Sequence, residues 1–371
     1  MQRYTRTIAE IWQHWQLNAK NALHPMLFTT FEDNQRVFQK LTSLDRDQWV
    51  AAYSEAAAPY AALAKEAEAT GDHRAAKEHY FHAYGLYRMA RYPTTNSEGK
   101  RAAYRQSQAM YLAAARYLPY GFERVEIPFK GRPGEGKQSI GYFVRPKDAG
   151  RLPLVVMWAG IDTFKEDRTE IWGPLIDAKM SLLLIDMPGT GDAPLYGSED
   201  AERLWDDVLD WCATRPEIDA ARIAVWGGST GGYWAAKVAH THRERLAAAV
   251  CHGGCAHLAF TPEWIEKAQH GSYAFELAET LASAFGRMSF EDWVEFCPRL
   301  SLLKQGLLDK PSAPLLLVNG TEDTIFPIGD MHLLLEHGSP KTARFYPTGH
   351  MGYTPDTIPT IVRWLGEKLK A

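Results

Sequence analysis

Up to about Tyr120 the chain has hardly any stretch of alternating apolar and polar residues, and its apolar positions recur at helical spacing instead. Ala76, Tyr80, Ala83, Tyr84, Tyr87 and Ala90 fall three or four apart, which places small and aromatic side chains on one helix face. Ala56–Ala67 is alanine-rich and strongly helix-forming, with a kink expected at Pro59. Gly71-Asp72 reads as the end of that helix and the N-cap of the next, and a further helix is expected from about Ser97 to Tyr117. The paired helices look like tetratricopeptide units, but no second copy follows at a fixed period. An all-helical domain over residues 1–120 is the expectation.

The period changes after Leu118-Pro119-Tyr120-Gly121. Residues 122–129 alternate like a half-buried strand, 131–136 form a Gly/Pro turn, and 140–145 return as the partner strand. Short continuous apolar runs then follow at 152–158, 181–186, 222–226, 247–251, 314–319 and 343–346, separated by helical stretches. Runs apolar at every position suit strands covered on both faces. Residues 121–371 are therefore predicted to form an α/β domain, a mostly parallel sheet opened by an antiparallel hairpin. Residues 260–305, helical and carrying Trp264 and Trp293, break the rhythm and read as a helical insertion above the strand ends.

Composition narrows the function classes. A chain of 371 residues exceeds one compact domain, in keeping with two. A net charge of −4 and a pI near 6.4 argue against nucleic acid or an anionic membrane as partner. No run approaches the roughly 18 apolar residues that span a bilayer, and the first residues are too polar for a signal peptide. Cys212, Cys251, Cys255 and Cys297 are too few for a disulfide framework. A cytoplasmic protein acting on a small molecule is expected, with a homodimer left open.

The densest chemistry lies at Gly227-Gly228-Ser229-Thr230-Gly231-Gly232, between the apolar run ending at Trp226 and a helical run from Tyr233. Gly-x-Ser-x-Gly at a strand-to-helix junction is the nucleophile-elbow pattern. Two further loops at strand ends supply an acid and an imidazole in the order this pattern requires: Asp323 after 314–319 and His350 after 343–346. A serine hydroxyl is a poor nucleophile until an imidazole takes its proton, and a carboxylate must fix that imidazole's tautomer. Glu322 competes for the acid role; Asp323 is preferred because it sits deeper in the loop. Backbone N–H groups of Thr230 and of Gly160 or Ile161, in the loop after the first parallel strand, are the candidate oxyanion donors.

Other clusters draw plainer readings. Asp162 and Glu166 are expected to cap the stretch that follows them. Asp186–Asp192 reads as a loop turn, because it lacks the Gly-Lys-Ser/Thr of a phosphate cradle. Cys251, His252, Cys255 and His257 form one cluster, whereas zinc sites use two separated pairs, so no metal is expected; His252 and His257 are candidate substrate contacts instead. His240 and His242, near the end of the helix after the elbow, read as structural, with partly charged rings suiting the helix dipole.

The elbow, the Asp323 and His350 loops and the loop Gly160-Ile161-Asp162-Thr163-Phe164-Lys165-Glu166 together resemble the α/β-hydrolase superfamily. Within it the chain is similar to the group holding the fermentation-respiration switch protein, 2,6-dihydroxypseudooxynicotine hydrolase and the fungal yellowish-green pigment hydrolases. That resemblance implies an α/β-hydrolase fold preceded by an N-terminal all-helical cap domain. It also implies serine hydrolase activity on an ester, a thioester or a carbon–carbon bond beside an aryl ketone. Members that cut carbon–carbon bonds use an added acid from the cap; Glu263, beside Trp264, is the nearest match here, with a helix-terminal carboxylate as the plainer alternative. In the switch-protein members the triad can be degenerate, whereas this chain keeps all three residues.

The expectation is a serine hydrolase that needs no cofactor, roofed by the helical domain and by the insertion around Trp264 and Trp293. Trp12, Trp15, Tyr80 and Tyr84 hint weakly at a hydrophobic or aromatic substrate, most of these rings being expected in the core. Two alternatives stay open: an acyl-enzyme handed to an internal nucleophile, as in a cyclase or acyltransferase, and a non-catalytic regulatory binding protein with the same fold.

Overall fold

The computed structural model describes residues 4–147, 149–337 and 341–370. The chain divides into two compact units, one of Tyr4–Phe122 with Ala274–Glu276, the other of Glu123–Tyr273 with Leu277–Ala371.

The first unit is helical: α1 (Ile8–Lys20), α2 (Phe31–Lys40), α3 (Arg46–Ala69), α4 (His73–Arg91) and α5 (Glu98–Ala115). Each helix starts at a side chain that satisfies an otherwise orphaned N–H group. Thr7 and Glu10 make a capping box on α1, Thr30 caps α2, Asp45 caps α3, Asp72 caps α4 and Ser97 caps α5. Gly71, at φ +78°, lets α3 stop and α4 begin within three residues. Helix α3 runs through Pro59 as one 24-residue element. On α4 the side chains of Ala76, Tyr80, Ala83, Tyr84 and Ala90 are buried. Trp15, Tyr80 and Tyr84 are core residues of this unit, so they do not bear on substrate choice. The three late residues are held there by Phe275, whose ring lies 4.9 Å from that of Trp49, and by Glu276, 3.2 Å from the buried Lys100.

The second unit is an eight-stranded sheet with helices packed along it. Its strands are β1 (Gly121–Pro128), β2 (Gln138–Arg145), β3 (Leu152–Trp158), β4 (Ser181–Leu184), β5 (Ile218–Gly228), β6 (Ala248–His252), β7 (Leu315–Gly320) and β8 (Lys341–Tyr346). They lie in the order β1-β2-β4-β3-β5-β6-β7-β8. The pair β2 and β4 is antiparallel, and every recorded pairing from β4 through β3 to β8 is parallel. The helices are α6 (Trp172–Asp177), α7 (Leu204–Thr214), α8 (Thr230–Thr241), α9 (Pro262–Gln269), α10 (Leu277–Ala284), α11 (Phe290–Phe296), α12 (Ile328–Glu336) and α13 (Thr357–Lys368). This is the α/β-hydrolase architecture. Continuous burial along β3, β4, β6 and β7, and along β5 from Ile223 onward, accounts for the unbroken apolar runs. Parallel strands bring the ends of β3, β5, β6, β7 and β8 to one edge of the sheet, so residues far apart in sequence share that edge.

Helix α9 to helix α11 make up the region read as an insertion. Among the described residues no helix is long and apolar enough to cross a membrane, and no group of three or more His, Cys, Asp or Glu side chains is placed to hold a metal. The four cysteines are free and buried.

His240 departs from the sequence expectation. Its ring is 5 % exposed at the end of α8, with Nδ1 donating to the Lys310 carbonyl at 2.9 Å. Burial, then the charge of Lys341, lowers its pKa to about 4, so the ring is neutral rather than partly charged. Burial likewise lowers His242, against the opposing pull of Asp206. At these positions desolvation outweighs the helix dipole. The unfolded chain protonates His240 as pH falls through 6.5, while the folded chain resists until about 4. Stability is therefore lost across that window, by at most about 1.4 kcal/mol per pH unit from this group. Urea titrations of His240→Gln should show the drop between pH 7 and pH 4.5 shrinking by roughly 1–2 kcal/mol; an unchanged drop would place the acid sensitivity elsewhere.

Candidate active site

Ser229 sits between β5 and α8 with φ 56° and ψ −128°, a backbone state that non-glycine residues rarely adopt. A Cβ on Gly227 would run into the Gly231 carbonyl oxygen, and one on Gly231 into that of Ala159. Both flanking glycines are thus demanded by close backbone approach. The turn is held from outside as well. The Ser229 N–H donates to the His252 carbonyl at 2.8 Å, and Trp158 Nε1 donates to the Gly231 carbonyl at 2.8 Å.

His350 Nε2 lies 2.8 Å from Ser229 Oγ, and His350 Nδ1 lies 2.8 Å from Asp323 Oδ2. Asp323 also accepts N–H groups from Ile325 at 2.7 Å and Phe326 at 3.1 Å, and the Asn319 side-chain amide at 2.9 Å. Its carboxyl is fully buried. Burial pushes its pKa up, but the charge of His350 and these hydrogen bonds outweigh burial and hold it below the usual carboxylate value. Glu322, the competing acid, is exposed.

Gly160 brings the loop after β3 against the serine: a Cβ there would lie 2.9 Å from Ser229 Cβ. Ile161 is buried behind it. Thr230 opens α8, so its N–H is among those left free at a helix start. Its buried hydroxyl has no hydrogen-bond partner among the described residues.

A narrow cavity of about 30 Å³ is lined by Thr230, the residue after the serine, and by Trp264, Leu277, Leu281, Trp293 and Phe326 among others. The Phe326 ring, part of that lining, stands edge-on to His350 with centroids 5.6 Å apart, so one wall of the cavity packs against the imidazole. A wider groove of about 770 Å³, lined by Leu152 and Arg222, lies toward the strand starts and offers none of these groups.

Three expected contacts are not among the residues lining this cavity. His252 is fully buried with Nε2 donating to the Met351 carbonyl at 2.7 Å. The His257 ring engages Ser301 Oγ at 2.8 Å, and its N–H donates to Asp330. Glu263 is exposed in the first turn of α9, outside the cavity lining. Asn319 was not foreseen. It reads as a strand-end polar residue, yet it donates to Asp323 and accepts the Met351 N–H at 3.0 Å, bracing both loops at once.

Residues 33–369 match the model of the family described as esterase FrsA-like. The chain belongs to the FrsA-like esterase family. It is 27 % identical to esterase FrsA of Escherichia coli (strain K12) over 277 residues, 73 % of this chain and 65 % of that one. It is 28 % identical to esterase FrsA of Enterobacter sp. (strain 638) over 242 residues, 63 % of this chain and 56 % of that one. The match thus spans less than two thirds of the length of these relatives. The solved structure of 2,6-dihydroxy-pseudo-oxynicotine hydrolase superposes with a TM-score of 0.75 at 20 % identity, covering 96 % of this chain and 95 % of that one, a likeness of fold.

In this FrsA-like chain the loop after β3 is locked from below. Lys165 Nζ lies 2.8 Å from Asp186, 2.6 Å from Asp192 and 3.1 Å from Glu166, and Tyr142 donates to Glu166 at 2.8 Å. Glu166 is therefore a member of a buried charge cluster and not a helix cap; the capping carboxylate is Asp167, which accepts the Phe164 N–H at 2.8 Å. The Asp186–Asp192 turn wraps the same ammonium. Burial, partly offset by Lys165, raises the pKa values of Glu166 and Asp186, since one cation faces three carboxyls. Replacing Lys165 by Met would leave those carboxyls around an apolar side chain. Lys165→Met should cost about 3–5 kcal/mol in urea unfolding at pH 7; a loss under about 1 kcal/mol would mean the cluster does not hold the loop.

Proposed function

We propose that this chain is a serine hydrolase that cleaves a carboxylic ester or thioester with a short apolar acyl group. The observation that carries the reading is the unbroken hydrogen-bond chain from Ser229 Oγ through His350 to Asp323 Oδ2. Membership of an esterase family supports it. In this mechanism Ser229 Oγ attacks the carbonyl carbon while His350 Nε2 takes the hydroxyl proton. Asp323 keeps the Nδ1 proton facing itself and offsets the charge of the imidazolium. The oxyanion is held by the N–H of Thr230 and an N–H of the Gly160–Ile161 peptides. On collapse His350 returns the proton to the departing oxygen or sulfur, leaving an acyl-enzyme at Ser229. Water, activated by the same imidazole, then releases the acid.

The cavity supports the substrate class. Its apolar walls repel charge, and about 30 Å³ suits an acyl tail of two or three heavy atoms. The carboxylate that carbon–carbon cleavage would call on, Glu263, is exposed outside this lining, which favours ester chemistry.

A fluorophosphonate probe should label the wild-type chain and fail on Ser229→Ala, with kcat on p-nitrophenyl acetate falling roughly 10⁶-fold; label surviving that substitution would refute the assignment. With p-nitrophenyl acetate and octanoate, kcat/KM should favour acetate by about 10-fold or more, and Leu281→Ala should shift preference toward the longer chain. A flat chain-length profile in both proteins would refute the acyl-cavity reading.

A further inference from the structure

His252 closes β6, one strand over from the serine, with its Cα in register with Gly228 of β5 and Val318 of β7. Its main-chain carbonyl accepts the Ser229 N–H at 2.8 Å. Its ring Nε2 lies 2.7 Å from the Met351 carbonyl oxygen; a carbonyl only accepts, so Nε2 carries the proton. One residue thereby holds the nucleophile's backbone with its own backbone and the residue after His350 with its side chain. The peptide on the other side of Met351 is held too, since the Met351 N–H donates to Asn319 Oδ1 at 3.0 Å. Met351 sits at φ +69°, a strained state for a residue with a side chain, so the His350 turn does not keep this shape by local preference.

The ring is ill suited to mere packing. Its Nδ1 is buried without a hydrogen-bond partner among the described residues, a cost that an apolar side chain of similar size would avoid. Burial, then the charge of Arg168, pushes the ring's pKa down to about 3, so it stays neutral. A neutral donor reaching the Met351 carbonyl is what this position supplies.

We propose that His252 is a positioning residue that sets the spacing between Ser229 and His350 by holding the Met351 carbonyl through Nε2–H. The proposal rests on the triad reading above. If the tie is lost, the imidazole drifts from Ser229 Oγ. A misplacement near 1 Å in such a site costs on the order of 100-fold in rate.

The test measures kcat and KM on p-nitrophenyl acetate per active site titrated with a fluorophosphonate, alongside the rate of labelling. His252→Leu should lose about 100-fold in kcat and in labelling rate, with KM changed less than about threefold. A purely structural role would lower melting temperature and the titratable fraction but leave kcat per titrated site within about threefold, and that result overturns the proposal. Should the Leu variant not fold, His252→Gln and His252→Asn decide. The Gln amide reaches the place of Nε2 and should keep activity, while the Asn amide stops near Nδ1 and should be at least about 10-fold slower; equal rates overturn the proposal. Wild-type chain that takes no label, or Ser229→Ala that keeps it, overturns the triad reading itself. Labelled wild type beside an equally fast His252→Leu overturns only the positioning role.

Discussion

The backbone at Ser229 is the constraint on which the rest depends. Holding a serine at φ 56° and ψ −128° costs on the order of 1–3 kcal/mol, which local sequence cannot recover, so neighbouring elements must supply it. They do so from three strands. The indole of Trp158 at the end of β3 fixes the Gly231 carbonyl, the end of β6 accepts the serine N–H, and glycines in β5 and α8 remove every Cβ that would obstruct the turn. The reward is a hydroxyl projecting clear of the sheet at the start of a helix, where free N–H groups favour negative charge.

The loop after β3 solves a related problem by other means. It must bring Gly160 against the serine without a helix or strand to stiffen it. Stiffness comes instead from Lys165, which threads beneath it to Asp186 and Asp192 in the next loop. Burying one cation with three carboxyls is an inefficient way to gain stability, since desolvation cancels most of the attraction. What it does supply is direction: a lysine that must meet Asp186 leaves the loop one course to follow. The clash that a Cβ at Gly191 would make with the Asp186 carboxylate shows how tightly the second loop turns around its own acid.

Much of this was legible in the sequence, and the limits have physical causes. Strands buried on both faces write continuous apolar runs, so the strands were visible, although β5 extends back to Ile218 through polar residues that no run marks. Gly227, Gly231, Asp323 and His350 were visible because loop chemistry needs specific residue types at strand ends. His252, Asn319 and Lys165 were not, because what they do depends on which strand ends become neighbours. An Asn closing an apolar run and a His in a Cys/His cluster carry no local mark of the carbonyl or N–H they will meet. The same gap misled the readings of Glu166 and His240. Nearby helix ends suggest one state for each, whereas burial by distant elements decides it.

The groups that brace the His350 turn share a property that follows from the chemistry they flank. Asn319 is an amide and His252 a neutral imidazole, so both hydrogen-bond without adding charge. During turnover an imidazolium forms at His350, and Asp323 is placed to face it. A lysine or arginine bracing the Met351 carbonyl would repel that imidazolium at low dielectric, and a carboxylate bracing the N–H would compete with Asp323 for it. Among side chains, neutral imidazole, the amides and the bulkier indole are those that offer an N–H donor without charge. The choice of residue at the end of β6 is therefore narrow on electrostatic grounds as well as geometric ones, and it leaves Asp323 as the carboxylate hydrogen-bonded to His350.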